Sequence, residues 1–108
     1  MLGMNEYQKL AARTINPKLT EEQTVRHALF GLSAEVGEVN SLFQKELQGH
    51  HLELDDLKKE IGDCQWFIAE LCTAFGFKME DIGNMNIEKL KARYPEGFDP
   101  EKSIHRQE

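Results

Sequence analysis

The sequence predicts an all-α fold, a four-helix bundle-like protomer that assembles into a homo-oligomer. Proline occurs only at positions 17, 95 and 100, so nothing interrupts helix formation over the long central stretch. Apolar residues recur there at spacings of three and four, and the alternation typical of β-strands is missing. A chain of 108 residues has room for one domain. We expect a helical domain at 1–98 and a polar C-terminal tail at 99–108.

The first two predicted helices are bounded by clear sequence signals. The first, about 6–15, ends before Asn16-Pro17, because the residue that precedes a proline disfavours helical geometry. The second begins after Thr20, where Thr20-Glu21-Glu22-Gln23 has the form of a capping box. It continues to about residue 48, with Gly49 as a plausible stop.

The second and third helices are expected to form an antiparallel hairpin. The third extends from about 55 to 76, and only the short polar link 49–53 separates it from the second. Each helix carries a continuous apolar stripe, and we expect the two stripes to form the packed seam. The stripes are Val25, Leu29, Leu32, Val36, Val39, Phe43 and Leu47 on the second helix and Leu57, Ile61, Cys64, Ile68, Leu71 and Phe75 on the third. A fourth helix, about 80–93, ends at Tyr94-Pro95.

Composition excludes several classes of protein. The 19 acidic residues against 13 basic ones give a net charge of -6, which argues against binding to a nucleic acid polymer. No apolar run approaches the length of a membrane span, and we expect no secretory signal at the N-terminus. Cys64 and Cys72 fall in one predicted helix, about 12 Å apart, whereas a disulfide tolerates at most about 7 Å. Two unpaired cysteines predict a cytoplasmic protein.

Four acidic residues form the candidate metal site. Glu35 and Glu38 have the form E-x-x-E, and Glu60 and Asp63 have the form E-x-x-D. Both pairs lie on the same side of the apolar stripe of their helix, so an antiparallel hairpin can bring them together at the edge of the seam. Crowded carboxylates need a cation, and oxygen ligands favour Mg²⁺, with Mn²⁺ as a possible substitute. The alternative is a solvated acidic face paired with lysines such as Lys45 and Lys58.

The histidines do not suit a rival metal site. A di-iron carboxylate bundle needs Glu-x-x-His pairs, and none of the four histidines has a glutamate three residues before it. Zinc fits poorly, because no Cys or His belongs to the acidic set. We interpret His27 as a surface or interface residue rather than a ligand, and His50 and His51 as exposed residues of the interhelical link.

The fourth helix carries candidate substrate-binding residues. Asn86, Lys89 and Arg93 recur at spacings of three and four and therefore share one face. Lys89 and Arg93 can bind phosphate oxygens, and Asn86 can hydrogen-bond a sugar or phosphate. The alternative is an amphipathic helix whose basic side chains lie over apolar neighbours.

A second apolar patch predicts self-association. Phe30, Ala34 and Trp66 lie off the main stripes, which favours a homodimer or a dimer of dimers. A less favoured interpretation of Trp66 is a residue that stacks on a base.

The order of several short blocks resembles the MazG-like, all-α nucleoside triphosphate pyrophosphohydrolases. These blocks are Asn5-Glu6-Tyr7-Gln8, Gly31 to Glu38 (GLSAEVGE), Glu60-Ile61-Gly62-Asp63, Asn86 to Leu90 (NIEKL) and Arg93 to Phe98 (RYPEGF). The E-x-x-E pair followed by E-x-x-D is the defining signature of that family. The resemblance covers nearly the whole chain.

The resemblance implies hydrolysis of a nucleoside triphosphate between the α and β phosphates. It also implies Mg²⁺ bound by Glu35, Glu38, Glu60 and Asp63, and oligomers in which helices of two subunits surround the site. Asn86 and Lys89 match family positions that contact substrate, and Arg93 is our own extension. We expect Glu38 to activate the attacking water. The competing hypothesis is a non-catalytic helical interaction protein derived from the same fold.

Overall fold

The computed structural model describes residues 2–105, and over that range the chain is helical with no β-strand. The helices are α1 (Met4–Ala12), α2 (Glu21–Leu47), α3 (Leu54–Phe75), α4 (Met79–Arg93) and the short α5 (Pro100–Ile104). The prediction of an all-α chain with four main helices is confirmed. None of the helices in residues 2–105 combines the length and the apolar character needed to cross a membrane.

Local chemistry explains where the helices begin and end. The Thr20 hydroxyl accepts from the Gln23 amide at 3.1 Å, and the Gln23 side chain accepts from the Thr20 amide at 2.9 Å. Gly76 terminates α3 with φ 73°, a left-handed conformation that favours glycine. Helix α1 ends at Ala12, earlier than expected, because the Thr14 hydroxyl and amide both bond the Ala11 carbonyl in a turn.

Helix α1 packs against both α3 and α4 and completes a small core. Ala11, Ala69, Cys72 and Met79 are buried there, and Tyr7 and Trp66 cover them. The Gln8 side chain joins α1 to the α3–α4 turn: it donates to the Phe77 carbonyl at 2.8 Å and accepts from the Met79 amide at 2.8 Å. Because Gln8 bonds groups that the helix ends leave unpaired, it holds the start of α4 against α1.

Trp66 is partly buried, and its place in a partner surface stays a prediction. Trp66 packs against the core between α1 and α3, and its indole N–H donates to the Thr14 hydroxyl at 2.8 Å. The side of α3 opposite its apolar stripe is therefore covered by α1 of the same chain. Phe30 and Ala34 on α2 are exposed, as the patch required.

The α2–α3 seam also differs from the expectation. The hairpin is antiparallel, but alternate members of the two apolar stripes face away from it and stay 42% to 54% exposed. These residues are Leu29, Val36 and Phe43 on α2 and Ile61, Ile68 and Phe75 on α3. Thr24, Ala28 and Glu70 are buried instead. The helices thus meet along the flank that carries the acidic residues, where small side chains allow the backbones to approach.

The C-terminal segment forms one further helical turn. The Asp99 side chain caps α5 by accepting from the Glu101 amide at 3.0 Å. The Phe98 ring lies 5.5 Å from that of Tyr94 and is mostly exposed. Residue 1 of the predicted domain and residues 106–108 of the predicted tail lie outside the described residues, and the boundary at 98 stays a prediction.

Candidate metal centre

Three carboxylates from two helices meet in the α2–α3 seam. Glu35 lies on α2, and Glu60 and Asp63 lie one turn apart on α3. One oxygen of each carboxylate lies within 4.8 Å of the others. This arrangement follows from the seam itself, because antiparallel helices that pack along their acidic flanks bring these three positions to the same level.

The cluster is electrostatically strained without a cation. A hydrogen bond shared with Glu60 raises the pKa of Glu35 to about 7. Burial and the negative charges of Asp63, Glu60 and Glu38 act in the same direction. Glu35 therefore holds a proton over much of the neutral range, and a bound cation would take the place of that proton.

The residues fit a hard divalent ion. Oxygen Oε2 of Glu60 is buried and has no hydrogen-bond partner among residues 2–105. An unsatisfied buried carboxylate oxygen is costly, and a metal ion at the cluster would satisfy it. All the available donors are carboxylate oxygens, which suit Mg²⁺ or Mn²⁺.

Cys64 lies beside the cluster but does not suit it as a ligand. Burial, and then the carboxylates around it, raise the pKa of the Cys64 thiol above its ordinary value. A thiol is also a soft donor, whereas Mg²⁺ and Mn²⁺ prefer oxygen ligands. Cys64 and Cys72 are both free, as predicted.

The fourth predicted ligand, Glu38, stands at the rim. It is exposed and does not belong to the group of three carboxylates whose oxygens meet. Its charge nevertheless helps to raise the pKa of Glu35, which places it in the electrostatic surroundings of the cluster. Its roles as a ligand and as a base stay predictions.

The three predicted substrate-binding residues lie on a different part of the protomer. Asn86, Lys89 and Arg93 belong to α4, which packs against α1, whereas the carboxylates lie between α2 and α3. The Arg93 guanidinium lies 5.8 Å from the centre of the Tyr94 ring. The part that these residues play in substrate binding stays a prediction.

Two features beside the cluster were not anticipated. Glu70 is 1% exposed, and its two carboxylate oxygens lie 2.8 and 2.9 Å from Nδ1 of His27. The ring of Phe67 lies directly on Gly31, where a Cβ atom would overlap it. The signal in the sequence is the spacing of seven between Asp63 and Glu70, which puts them two helical turns apart on one face of α3, whereas the acid pairs of the predicted metal site are three residues apart.

The fold and the cluster together define an all-α protein with a candidate carboxylate metal site in a helical hairpin. The sequence matches the model of the MazG nucleotide pyrophosphohydrolase domain over residues 23–98, which is more than half of the chain. The protein belongs to this family. The match covers both acid pairs and α4.

One relative extends the comparison. The chain is 28% identical over 76 residues to the "Gene 37 protein" of Mycobacterium phage L5, which covers 66% of this chain and 67% of the phage protein. No solved structure matches the chain significantly.

Proposed function

We propose that this protein is a Mg²⁺-dependent pyrophosphohydrolase that cleaves a nucleoside triphosphate into a monophosphate and pyrophosphate. The observation that carries the proposal is the meeting of Glu35, Glu60 and Asp63 around a buried, unpartnered oxygen, in a chain of the MazG family. The donor set is what a hard cation needs, and nucleoside triphosphates bind as complexes of such cations.

The chemistry assigns separate roles to the acids. Glu35, Glu60 and Asp63 hold the cation, with Glu38 as the additional ligand expected from its spacing. When bound, Mg²⁺ offsets the negative charge of the phosphates. A water oxygen bonds to the α-phosphorus while the bond from that phosphorus to the oxygen bridging the β-phosphate breaks, and pyrophosphate leaves. Glu38, at the exposed rim, takes the proton of the attacking water.

The proposal includes an assembly. The exposed members of the apolar stripes lie on the side of the hairpin away from the seam, and an apolar face of this kind is typical of a surface that binds a partner. A second copy would cover it, giving a homodimer or a dimer of dimers. In such an assembly Asn86, Lys89 and Arg93 can reach a substrate from another subunit. We place the enzyme in the cytoplasm, where its free thiols stay reduced.

The test is pyrophosphate release from a panel of ribo- and deoxynucleoside triphosphates with Mg²⁺ or Mn²⁺. Glu38→Gln should abolish most turnover, whereas Glu46→Gln, which removes one exposed acid from the same helix outside the cluster, should not. Absence of turnover with every nucleotide, and no increase in melting temperature with Mg²⁺, would instead favour the non-catalytic interaction protein, because a ligand that binds only the folded state must stabilise it.

A further inference from the structure

Glu70 is the most deeply buried charged residue among those described, and it interacts with one group. Its side chain has no exposed surface, whereas the His27 side chain is 48% exposed. Nδ1 of His27 bonds both carboxylate oxygens and is the sole hydrogen-bond partner of Glu70 within residues 2–105. The pair therefore connects the interior of the α2–α3 seam to an imidazole that solvent or a ligand can reach.

Protein stability alone does not explain why Glu70 and His27 form this pair. A buried carboxylate loses its hydration, and well-packed apolar residues of similar volume are often as stable as a buried ion pair or more so. The pair does have a clear effect on orientation. With a proton on Nδ1, the ring donates to Glu70, and this contact favours one orientation of the imidazole. Nε2 lies on the far side of the ring and has no hydrogen-bond partner among residues 2–105.

The imidazole and Glu35 of the metal centre belong to the same helix, α2. His27 precedes Glu35 by eight residues on α2, which is about 12 Å along the helix axis. Phe67 occupies the space between them, one turn beyond Asp63, with its ring on Gly31. A nucleoside joined to its α-phosphate can bridge this distance, so a substrate with its phosphates at the cluster would bring its base to His27.

The surroundings of His27 suit a base rather than a phosphate. Its ring centre lies 5.6 Å from that of Phe67, which is partly exposed. Aromatic rings offer surfaces for a flat, polarisable group. The nearest charge is the Glu70 carboxylate, which would repel a phosphate. The chemistry around His27 therefore matches the nucleobase.

We propose that His27, oriented by the buried Glu70, is a substrate-binding residue that presents Nε2 to the base of the bound nucleotide, and that Glu70 is its positioning residue. This inference rests on the proposed function. It assigns base recognition to the end of the hairpin seam that lies toward the start of α2.

Two substitutions of His27 separate its two ring nitrogens. His27→Asn keeps an amide nitrogen near the position of Nδ1, so the bond to Glu70 can persist, but it removes Nε2. His27→Gln keeps a polar group near the position of Nε2 and loses the bond to Glu70. If the histidine only joined the helices, His27→Asn would behave like the wild type.

The experiment compares two substrates for each variant: the nucleotide that the wild type hydrolyses best, and 2-deoxyribose 5-triphosphate, which has no base. For His27→Asn we expect kcat/KM to fall about tenfold with the nucleotide, the loss expected for one hydrogen bond, mainly through KM. With the abasic triphosphate it should stay within about twofold of the wild type. The melting temperature should be nearly unchanged.

Two variants of Glu70 test the positioning role. Glu70→Gln retains an oxygen that accepts from Nδ1, and it should keep most of the preference for the nucleotide over the abasic triphosphate. Glu70→Leu fills the same volume without an acceptor, and it should lose that preference as His27→Asn does. If Glu70 only filled space in the seam, Glu70→Gln would not keep more of the preference for the nucleotide than Glu70→Leu does.

Several outcomes would overturn the inference. An equal loss with both substrates in His27→Asn would mean that the residue acts on stability or on the metal centre. No loss with either would mean that the base lies elsewhere. Both results leave the proposed function intact, because the wild type remains active. If the wild type hydrolyses no nucleotide, the proposed function fails, and this inference fails with it.

Discussion

The two faces of the α2–α3 hairpin contrast in the residues that they bury. In the inner seam, the fully buried side chains are small or polar, as with Ala28 and Glu70, and the one large ring, Phe67, packs on Gly31. On the outer face, large apolar residues such as Val36 and Ile61 remain about half exposed. The hydrophobic effect alone would predict the reverse arrangement.

The contrast shows that one hairpin serves two kinds of packing. Small residues let two helix backbones approach, and only that approach brings carboxylates from both helices within 4.8 Å of one another. Large apolar residues in the seam would hold the helices apart. Those on the outer face can be buried only by contact with another surface, for which we propose a second copy of the chain. We propose that the inner seam serves the metal site and that the outer face serves association with a second copy of the chain.

The largest effect should come from the acids of the inner seam. Glu60→Gln removes the carboxylate with the buried, unpartnered oxygen, so we expect kcat to fall at least about 100-fold and the stabilisation by Mg²⁺ to disappear. Pyrophosphate release and thermal unfolding with and without Mg²⁺ measure both. Glu46→Gln is the matched control on the exposed surface. If Mg²⁺ still stabilised the Glu60→Gln protein, the assignment of Glu60 as a metal ligand would be contradicted.

The outer face is tested by placing a charge on it. Phe43→Glu should weaken self-association at least about tenfold, since burial of a phenylalanine contributes about 1.5–3 kcal/mol. Sedimentation over a range of protein concentrations measures the effect. The control is Lys45→Glu, which puts the same glutamate on the opposite side of α2. Equal self-association of both variants would show that another surface joins the subunits.

Gly31→Ala tests the close packing of the inner seam. The new methyl group would overlap the Phe67 ring, so we expect a loss of about 1–3 kcal/mol in the free energy of unfolding. Gly37→Ala is the control on the same helix, because its Cβ atom meets nothing within 4 Å. That variant should gain about 0.5–1 kcal/mol from the better helix propensity of alanine. Chemical denaturation of both variants gives the comparison.

The smallest effect is a pH dependence of metal binding. Because the pKa of Glu35 is raised to about 7, a proton competes with the cation, and Mg²⁺ affinity should fall about tenfold between pH 8 and pH 6. Without metal, the contribution of Glu35 to the stability of the folded protein depends on pH in the opposite direction. The folded state binds this proton more tightly than the unfolded chain, so the stability from Glu35 is present at low pH and is lost as pH rises through 7. Calorimetric titration with Mg²⁺ checks the first statement, and an affinity that is constant from pH 6 to 8 would refute it.

Much of the site was predictable because it depends on helix periodicity. Glu35, Glu60 and Asp63 were identified from their spacing and from their common side of the stripes, and the structure brings them together. Glu38 belonged to the same pattern, but it is exposed and lies outside the group of three carboxylates that meet. His27 and Glu70 were missed because their interaction joins two helices, and the one pattern within a helix, the spacing of seven from Asp63 to Glu70, is wider than the spacing of three in the acid pairs.

Helix bounds, the capping box at Thr20 and the phase of the acid pairs are local properties, set by backbone geometry within a few residues, so the amino-acid order alone determines them. Which flank of α2 faces α3 is a different matter. It depends on how closely Ala28 and Gly31 let the helices approach, on Phe67 filling the space over Gly31, and on α1 covering Trp66. These are contacts between distant parts of the chain, and only the tertiary structure decides among faces that are equally periodic in sequence.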